Sequence, residues 1–312
     1  MLGFICNGIY LLMNSTVSNI NEQANNYPLV TIGLPTYNRP AGLQKCLEQI
    51  LLQTYPNLEI IISDNCSSDE SVQQIIQEYA SKDSRILPIR QEVNIGLEEN
   101  FNFVFSRSSA DYFIWMSDDD YFDANYIAEC MKLLVKNPDH VLCSGIAKYY
   151  SGEQFLFTEK MFLLNQRRPF FRLWKYFSKV GKNGNFYGVF RNHLFTEKPI
   201  GLHIGCDWSL MAKFAILGKL AYVDSTSYHR SADGNSGTKK KMIKKFGFNK
   251  LQAIFFETYT AYLISSHIFN DNAVNNKFNF LQKKVIVSMI FFQINYRLFM
   301  NFLRKKLRLS GT

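Results

Sequence analysis

Four short apolar runs, each leading into a polar turn, constrain this chain more than anything else in it. They are Leu29–Leu34, Leu58–Ser63, Ile86–Ile89 and Tyr112–Met116. Each is brief and without helical period, which is how a strand reads, and the first and fourth read as buried. Behind the first run, Pro40 suits the opening position of a helix, and Leu43, Leu47, Ile50 and Leu51 recur at helical spacing. Ser and Asp within Asp64–Asp69 can cap a second helix over Glu70–Ala80, and Phe101–Phe105 fall in a third. Strands alternating with helices at this spacing imply an α/β layer built on a parallel sheet. Ligands of such sheets bind outside the carboxyl ends of the strands. The polar landmarks sit on that rim: Tyr37-Asn38, Asp64-Asn65, Asn94 and Asp118–Asp120.

The fourth run passes directly into Ser117-Asp118-Asp119-Asp120. An unpaired carboxylate in an apolar interior is very costly, so burial is expected to end at Met116. Three adjacent negative charges raise one another's pKa unless a cation neutralises them. Mg²⁺ and Mn²⁺ prefer carboxylate oxygens and would do so. Alone, the triplet reads more readily as a solvated turn, with Asp123 capping the next helix. Its position beside three other polar clusters on one rim favours a site.

The apolar content of 47% excludes general disorder. The net charge of +9 is uneven: residues 237–312 hold 14 Lys/Arg against Glu257 and Asp271, whereas residues 1–236 hold 21 against 24 acids. The basicity belongs to the tail and suggests a polyanion, either anionic lipid or nucleic acid. The six cysteines form no C-x-x-C pair, so buried thiols in a reducing cytoplasm are expected. Met1–Met13 is too short to span a bilayer, and no Lys or Arg precedes Arg39, so no export is expected. Residues 1–28 read as a flexible leader. Further on, Asp123–Asn137 reads as a helix, Val141–Tyr150 as a strand or hairpin, Gly184–Arg191 as a strand, and Asp207–Leu217 as a helix with Gly218 at its C′ position.

Val30-Thr31-Ile32-Gly33-Leu34-Pro35-Thr36-Tyr37-Asn38-Arg39, Ser63–Asp69, Asn94-Ile95-Gly96 and Ser117–Asp120 occur in this order at fitting intervals. As a set they resemble the N-terminal half of family 2 glycosyltransferases of the GT-A fold. The resemblance covers about residues 29–125 well. It continues more loosely to 237 through Tyr187–Arg191 and Gly205-Cys206-Asp207-Trp208. It implies a Rossmann-like, mostly parallel α/β sheet flanked by helices, with a glycosyltransferase domain over 29–237 (a nucleotide-sugar half, 29–125, and an acceptor half, 126–237). It also implies inverting transfer from a nucleoside-diphosphate sugar to an acceptor hydroxyl, with Mn²⁺ or Mg²⁺ as cofactor. Carried over, Pro35, Thr36, Tyr37, Asn38, Asp64 and Asn65 would hold the nucleoside, the Asp64 carboxylate accepting from the base, and Asn94 would border the pocket. The triplet would hold the metal in one of two frames. Either Asp118 lies near the ribose and Asp119 binds the metal, or Asp118 and Asp120 do so together. Asp207 matches the family's later acidic position and is the expected base, although an acid favouring a helix N-terminus reads equally well there. His229 and Arg230 would close over the diphosphate. No Arg-Trp pair follows Asp207, which implies single additions rather than polymer extrusion.

Residues 238–312 form a basic helical extension. Within it, Gln293, Arg297, Asn301, Arg304 and Arg308 make one helical stripe, and Ile286, Ile290, Ile294 and Leu298 another. Two readings stay open: a helix lying on an anionic membrane, or one packed on the catalytic domain with a solvated basic face. Lys239–Lys241 reads as a flexible charged hinge. The expectation is a peripheral enzyme on the inner face of the cell membrane, using a lipid-linked glycan acceptor and no nucleic acid. The rivals are a polyanion-binding protein and a nucleotidyltransferase, the latter lacking a Gly-rich phosphate loop after its first strand.

Overall fold

The computed structural model describes residues 27–195, 198–232 and 239–309, the side chains of 297–299 and 301–309 excepted. The readings for Met1–Met13 and the leader therefore lie outside the described residues, as do the side chains of Arg297, Leu298, Asn301, Arg304 and Arg308. The first half runs β1 (Val30–Thr36), α1 (Pro40–Leu51), β2 (Leu58–Asp64), α2 (Glu70–Lys82), β3 (Ile86–Arg90), α3 (Leu97–Ser106) and β4 (Tyr112–Trp115). All four strands are parallel neighbours, with β1 between β2 and β4. The run stopped at Pro35 on paper continues to Thr36. Beyond Gly33, the last β1 residue paired with β4, Pro35 pairs only with β2 at Ser63, so its missing N–H is tolerated.

The second half adds β5 (Tyr121–Phe122), α4 (Tyr126–Lys136), β6 (His140–Ser151), β7 (Gln154–Thr158), α5 (Pro169–Lys179), β8 (Val189–Arg191), α6 (Cys206–Leu217) and β9 (Lys219–Ser231). The sheet order is β3-β2-β1-β4-β8-β6-β9-β5, with β7 hairpinned onto β6. β8 is antiparallel to both β4 and β6, so the parallel half gives way to a mixed one. Trp115 anchors the seam. Its ring packs 5.0 Å from Phe190 and stacks on Phe186, and its Nε1 donates to the Phe101 carbonyl at 3.0 Å. A buried indole with its one donor satisfied holds β4 rigid immediately before the triplet.

Gly42, in the first turn of α1, faces the same segment. A Cβ built there would lie 2.4 Å from the Asp118 carbonyl oxygen. Helix propensity alone would make Gly42→Ala stabilising by about 0.5–1 kcal/mol. Against fixed backbone the clash wins. The substitution is expected to destabilise by about 1–3 kcal/mol, read as a lower Tm.

Four local readings change. Gly184–Arg191 is a 3₁₀ turn (Gly184–Tyr187) before β8, because Asn183 is left-handed (φ 61) and the Gly184 N–H donates to Glu159 Oε2 at 2.9 Å. Gly218 is extended rather than a left-handed cap, and its lack of a Cβ makes room for Val141. Asp123 caps nothing: its carboxylate accepts from the Ser227 N–H at 2.7 Å and pairs with His229 Nε2 at 2.8 Å. Lys239–Lys241 opens a helix, α7 (Lys239–Lys245), in place of a hinge.

The extension continues through α8 (Lys250–Ile254), α9 (Phe256–Asn270), α10 (Asn272–Asn275) and α11 (Phe280–Leu309). Ile286, Met289, Ile290 and Ile294 of α11 are buried in the same core as the sheet, packed toward α9 and α5. Gln293 is buried beside them, not on a polar stripe. The isoleucine face is thus covered by protein. No helix of the described residues is long and apolar enough to cross a membrane.

Candidate active site

The rim loops are tied to one another before any ligand is considered. Asn38 follows β1 in the left-handed region (φ 53), where Asn is tolerated. Its side-chain oxygen accepts from the N–H groups of Ser68 and Asp69, and its own N–H donates to Ser67 Oγ at 2.9 Å. Asn65 donates to Asn94 Oδ1 at 3.0 Å and accepts from the Ile95 N–H at 2.9 Å, joining the β2 and β3 loops. Asp64 is wholly buried. It accepts from the Ser67 N–H, from Gln73 at 2.7 Å and from Arg90 Nη1 at 2.6 Å. It is not among the residues that line the cavity described below.

Asp118 and Asp120 are buried after all, Asp119 only partly, and all three are paired. Asp118 accepts from Thr36 Oγ1 at 2.8 Å and from Arg39 Nη1 at 3.1 Å. Burial raises its pKa, and Thr36 and Arg39 hold the rise in check. The same Arg39 nitrogen donates to Asp119 Oδ2 at 2.7 Å, and Ser117 Oγ donates to Asp119 Oδ1 at 2.5 Å. Asp120 accepts from the Tyr228 hydroxyl and from the Ser231 N–H at 2.7 Å. Burial, then the neighbouring Asp119 charge, pushes Asp120 up to about 7. Arg230 Nε stands 3.8 Å from Asp120 and, although buried, has no hydrogen-bond partner among the described residues. Its guanidinium lies over the rings of Tyr187 and Tyr149 and donates to the Tyr149 hydroxyl at 3.1 Å.

Two cavities meet at this wall. The larger, about 580 Å³, is lined at one end by Pro35, Thr36, Tyr37, Asn65 and Asn94 and at the other by Asp118–Asp120, Tyr187 and Arg230. The smaller, about 450 Å³, shares Asp119, Asp120, Arg230 and Ser231 and adds Lys45 and His229. His229 faces only this second space. Its ring stacks on Tyr121 at 4.4 Å and contacts the Tyr150 hydroxyl at 3.2 Å. Asp207, at the start of α6, accepts from Asn183 Nδ2 at 3.0 Å. Burial raises its pKa, opposed by the Asn183 hydrogen bond and by the charge of Arg230.

The donor set fits a hard divalent ion. Asp119 and Asp120 are adjacent carboxylates bordering both cavities, and burial plus mutual repulsion already disfavours ionised Asp120. Among the described residues no group of three or more His, Cys, Asp and Glu is placed to hold a metal unaided. Mg²⁺ and Mn²⁺ take one or two carboxylates and fill the rest with water and substrate phosphate.

The residues missed on paper are partners rather than motif positions: Arg39 under the triplet, Tyr228 on Asp120, Asn183 on Asp207, and Lys245, which reaches the larger cavity from α7. Arg39 alone left a signal, as a cation in the first rim turn opposite three acids.

The glycosyl transferase family 2 model matches residues 31–195. Glycosyltransferase GlyA of Streptococcus pneumoniae is 29% identical over 193 residues, 62% of this chain and 25% of that protein. The hyaluronan synthase of Pasteurella multocida is 23% identical over 240 residues, 74% of this chain and 23% of its own length. This chain therefore spans about a quarter of each. Staphylococcus aureus TarS 1-349 in complex with UDP-GlcNAc is similar in fold, with a TM-score of 0.60 at 16% identity, covering 85% of this chain and 72% of TarS. The mannosyltransferase PcManGT from Pyrobaculum calidifontis, in complex with GDP-Man and Mn²⁺, gives 0.53 at 16% identity over 86% and 70%. The four-strand rim with its acidic wall and a family match over more than half the chain lead to one conclusion: this chain belongs to glycosyl transferase family 2.

Proposed function

We propose that the chain transfers one sugar at a time, with inversion, from a nucleoside-diphosphate sugar to a hydroxyl of a lipid-linked glycan during polysaccharide synthesis. One observation carries this reading: a single cavity runs from the Pro35–Tyr37 turn, Asn65 and Asn94 to Asp119, Asp120 and Arg230. The nucleoside lies at the first end, with Asn38 and Asp64 supporting it from behind, and the diphosphate at the second. Asp118, engaged by Thr36 and Arg39, sets the position of Arg39 on the nucleoside side. Asp119 and Asp120, which border both cavities, hold Mn²⁺ or Mg²⁺. The complexes of TarS with UDP-GlcNAc and of PcManGT with GDP-Man and Mn²⁺ support donor and metal by likeness of fold. The hyaluronan synthase among the relatives supports a role in polysaccharide synthesis. Residues 29–237 are the catalytic unit in this account.

The chemistry follows from the side chains. The acceptor hydroxyl attacks the anomeric carbon from the face opposite the diphosphate, so the C–O bond forms as the old one breaks and the centre inverts. Asp207 takes the hydroxyl proton; burial raises its pKa, which makes its carboxylate a stronger base than a solvated one. Arg230 offers its Nε–H, unpaired among the described residues, to the departing phosphate oxygens. A bound divalent cation would supply Lewis-acid stabilisation of the same charge. His229, held by Asp123, Tyr121 and Tyr150, shapes the wall behind Asp120.

The donor is identified by thermal shift with Mn²⁺ and UDP-, GDP- and dTDP-sugars. One nucleotide class is expected to raise Tm, and Asp119→Ala is expected to remove the rise. Sugars of all three nucleotides leaving Tm unchanged would sink the proposal.

A further inference from the structure

The face of α11 opposite its buried isoleucines is also apolar. Leu281, Val285, Phe292 and Tyr296 follow steps of three or four with Ser288 between them, and all four large side chains are exposed, Phe292 by 58%. A second exposed apolar set consists of Leu251 on α8, Phe255 at the break between α8 and α9, and Tyr262 on α9. Thr258 Oγ1 donates to Asn295 Oδ1 at 3.1 Å. That bond ties Thr258, between Phe255 and Tyr262, to Asn295, between Phe292 and Tyr296. The two sets therefore lie side by side on one solvent-facing surface of the helical hairpin.

Charge selects the occupant. The extension carries 14 Lys/Arg and only two acids, and both acids are engaged: Glu257 by Lys239 at 2.9 Å and Asp271 by Lys213 at 3.1 Å. Lys240, Lys244 and Lys250 are exposed on α7 and at the start of α8. Aromatic and aliphatic side chains beside lysines are the composition of a surface that lies in the headgroup region of an anionic bilayer. We propose that the α8–α9–α11 surface docks the protein on anionic phospholipid, its apolar side chains entering the interface and its lysines meeting the headgroups. This differs from the stripe expected from the sequence, since the isoleucine face is spent inside the protein. It deepens the reading of a lipid-linked acceptor, and it is measured without donor or acceptor, so failure here and failure of sugar transfer are told apart.

The test is co-sedimentation of the full chain with vesicles of phosphatidylglycerol and phosphatidylcholine in equal parts, against phosphatidylcholine alone. Binding to the anionic vesicles is expected, weakened by at least about fivefold for each lysine reversed in Lys240→Glu, Lys244→Glu and Lys250→Glu. Phe255→Ser/Phe292→Ser/Tyr296→Ser is expected to abolish it, and Leu52→Ser/Val135→Ser, exposed elsewhere, to leave it intact. No binding to anionic vesicles overturns the proposal, as does equal binding by the triple-serine variant. So does light scattering that shows a stable dimer dissolved by those three substitutions, which would make the occupant a second copy of the chain.

Discussion

Asp207→Asn is expected to cut kcat for sugar transfer by about 10²–10⁴-fold, with donor affinity changed by no more than about twofold. Asn keeps the size of the side chain and can still meet Asn183, so α6 and its buried apolar residues stay in place. What disappears is the capacity to take a proton. The donor cavity is lined by other residues, which is why affinity survives. Asn183→Ala separates a base from a helix-end charge. The Asn183 N–H favours the ionised carboxylate, so losing it raises the Asp207 pKa and moves the acid limb of the kcat–pH profile to higher pH. A charge acting only on the α6 dipole gives no such movement. Steady-state kinetics of both variants across pH 5–9, with donor Kd measured separately, check this pair of outcomes.

The second large effect is on stability and its dependence on pH. Asp120 has its folded-state pKa raised to about 7, above the ordinary carboxylate value, so the folded protein binds more protons than the unfolded chain between those limits. Stability without metal must then fall as pH rises through that window, by about 2 kcal/mol between pH 5.5 and pH 8 for this one group. Asp120→Asn removes the titration while leaving an oxygen to accept from the Ser231 N–H. Its unfolding midpoint in urea is expected to exceed that of the native sequence at pH 8 and to lose most of the slope with pH. Mn²⁺ with donor reverses the trend for the native sequence, because the cation binds the ionised form. The stabilisation it brings grows from pH 5.5 to pH 8, and the variant lacks it.

Much of the fold was legible because β1, β2 and β4 are buried on both faces and therefore write themselves as continuous apolar runs, whereas the edge strand β3 buries only Ile86 fully. The site was legible where its residues belong to strand-end turns, as Thr36, Asn65, Asn94 and Asp118–Asp120 do. Partnership was not. Arg39 and Asp118 are 79 positions apart, and Tyr228 and Asp120 are 108 apart, so no local rule pairs them. The same gap hid Arg90 under Asp64 and His229 on Asp123. In each case a charge expected to face ligand is first answered from within the chain. In α11 the period was right and the assignment of faces was incomplete. Ile286, Ile290 and Ile294 mark an apolar stripe, and only the packing of α5 and α9 decides that this stripe is inside and that Phe292 and Tyr296 are outside.

The central claim is that Asp119 and Asp120 hold a divalent cation on the diphosphate of a nucleotide sugar. Calorimetric titration with the nucleotide sugar found by thermal shift, with and without Mn²⁺, tests it most directly. The account predicts binding that requires Mn²⁺ and is lost in Asp119→Ala/Asp120→Asn. Equally tight binding without Mn²⁺, or undiminished binding by the double variant, would contradict it.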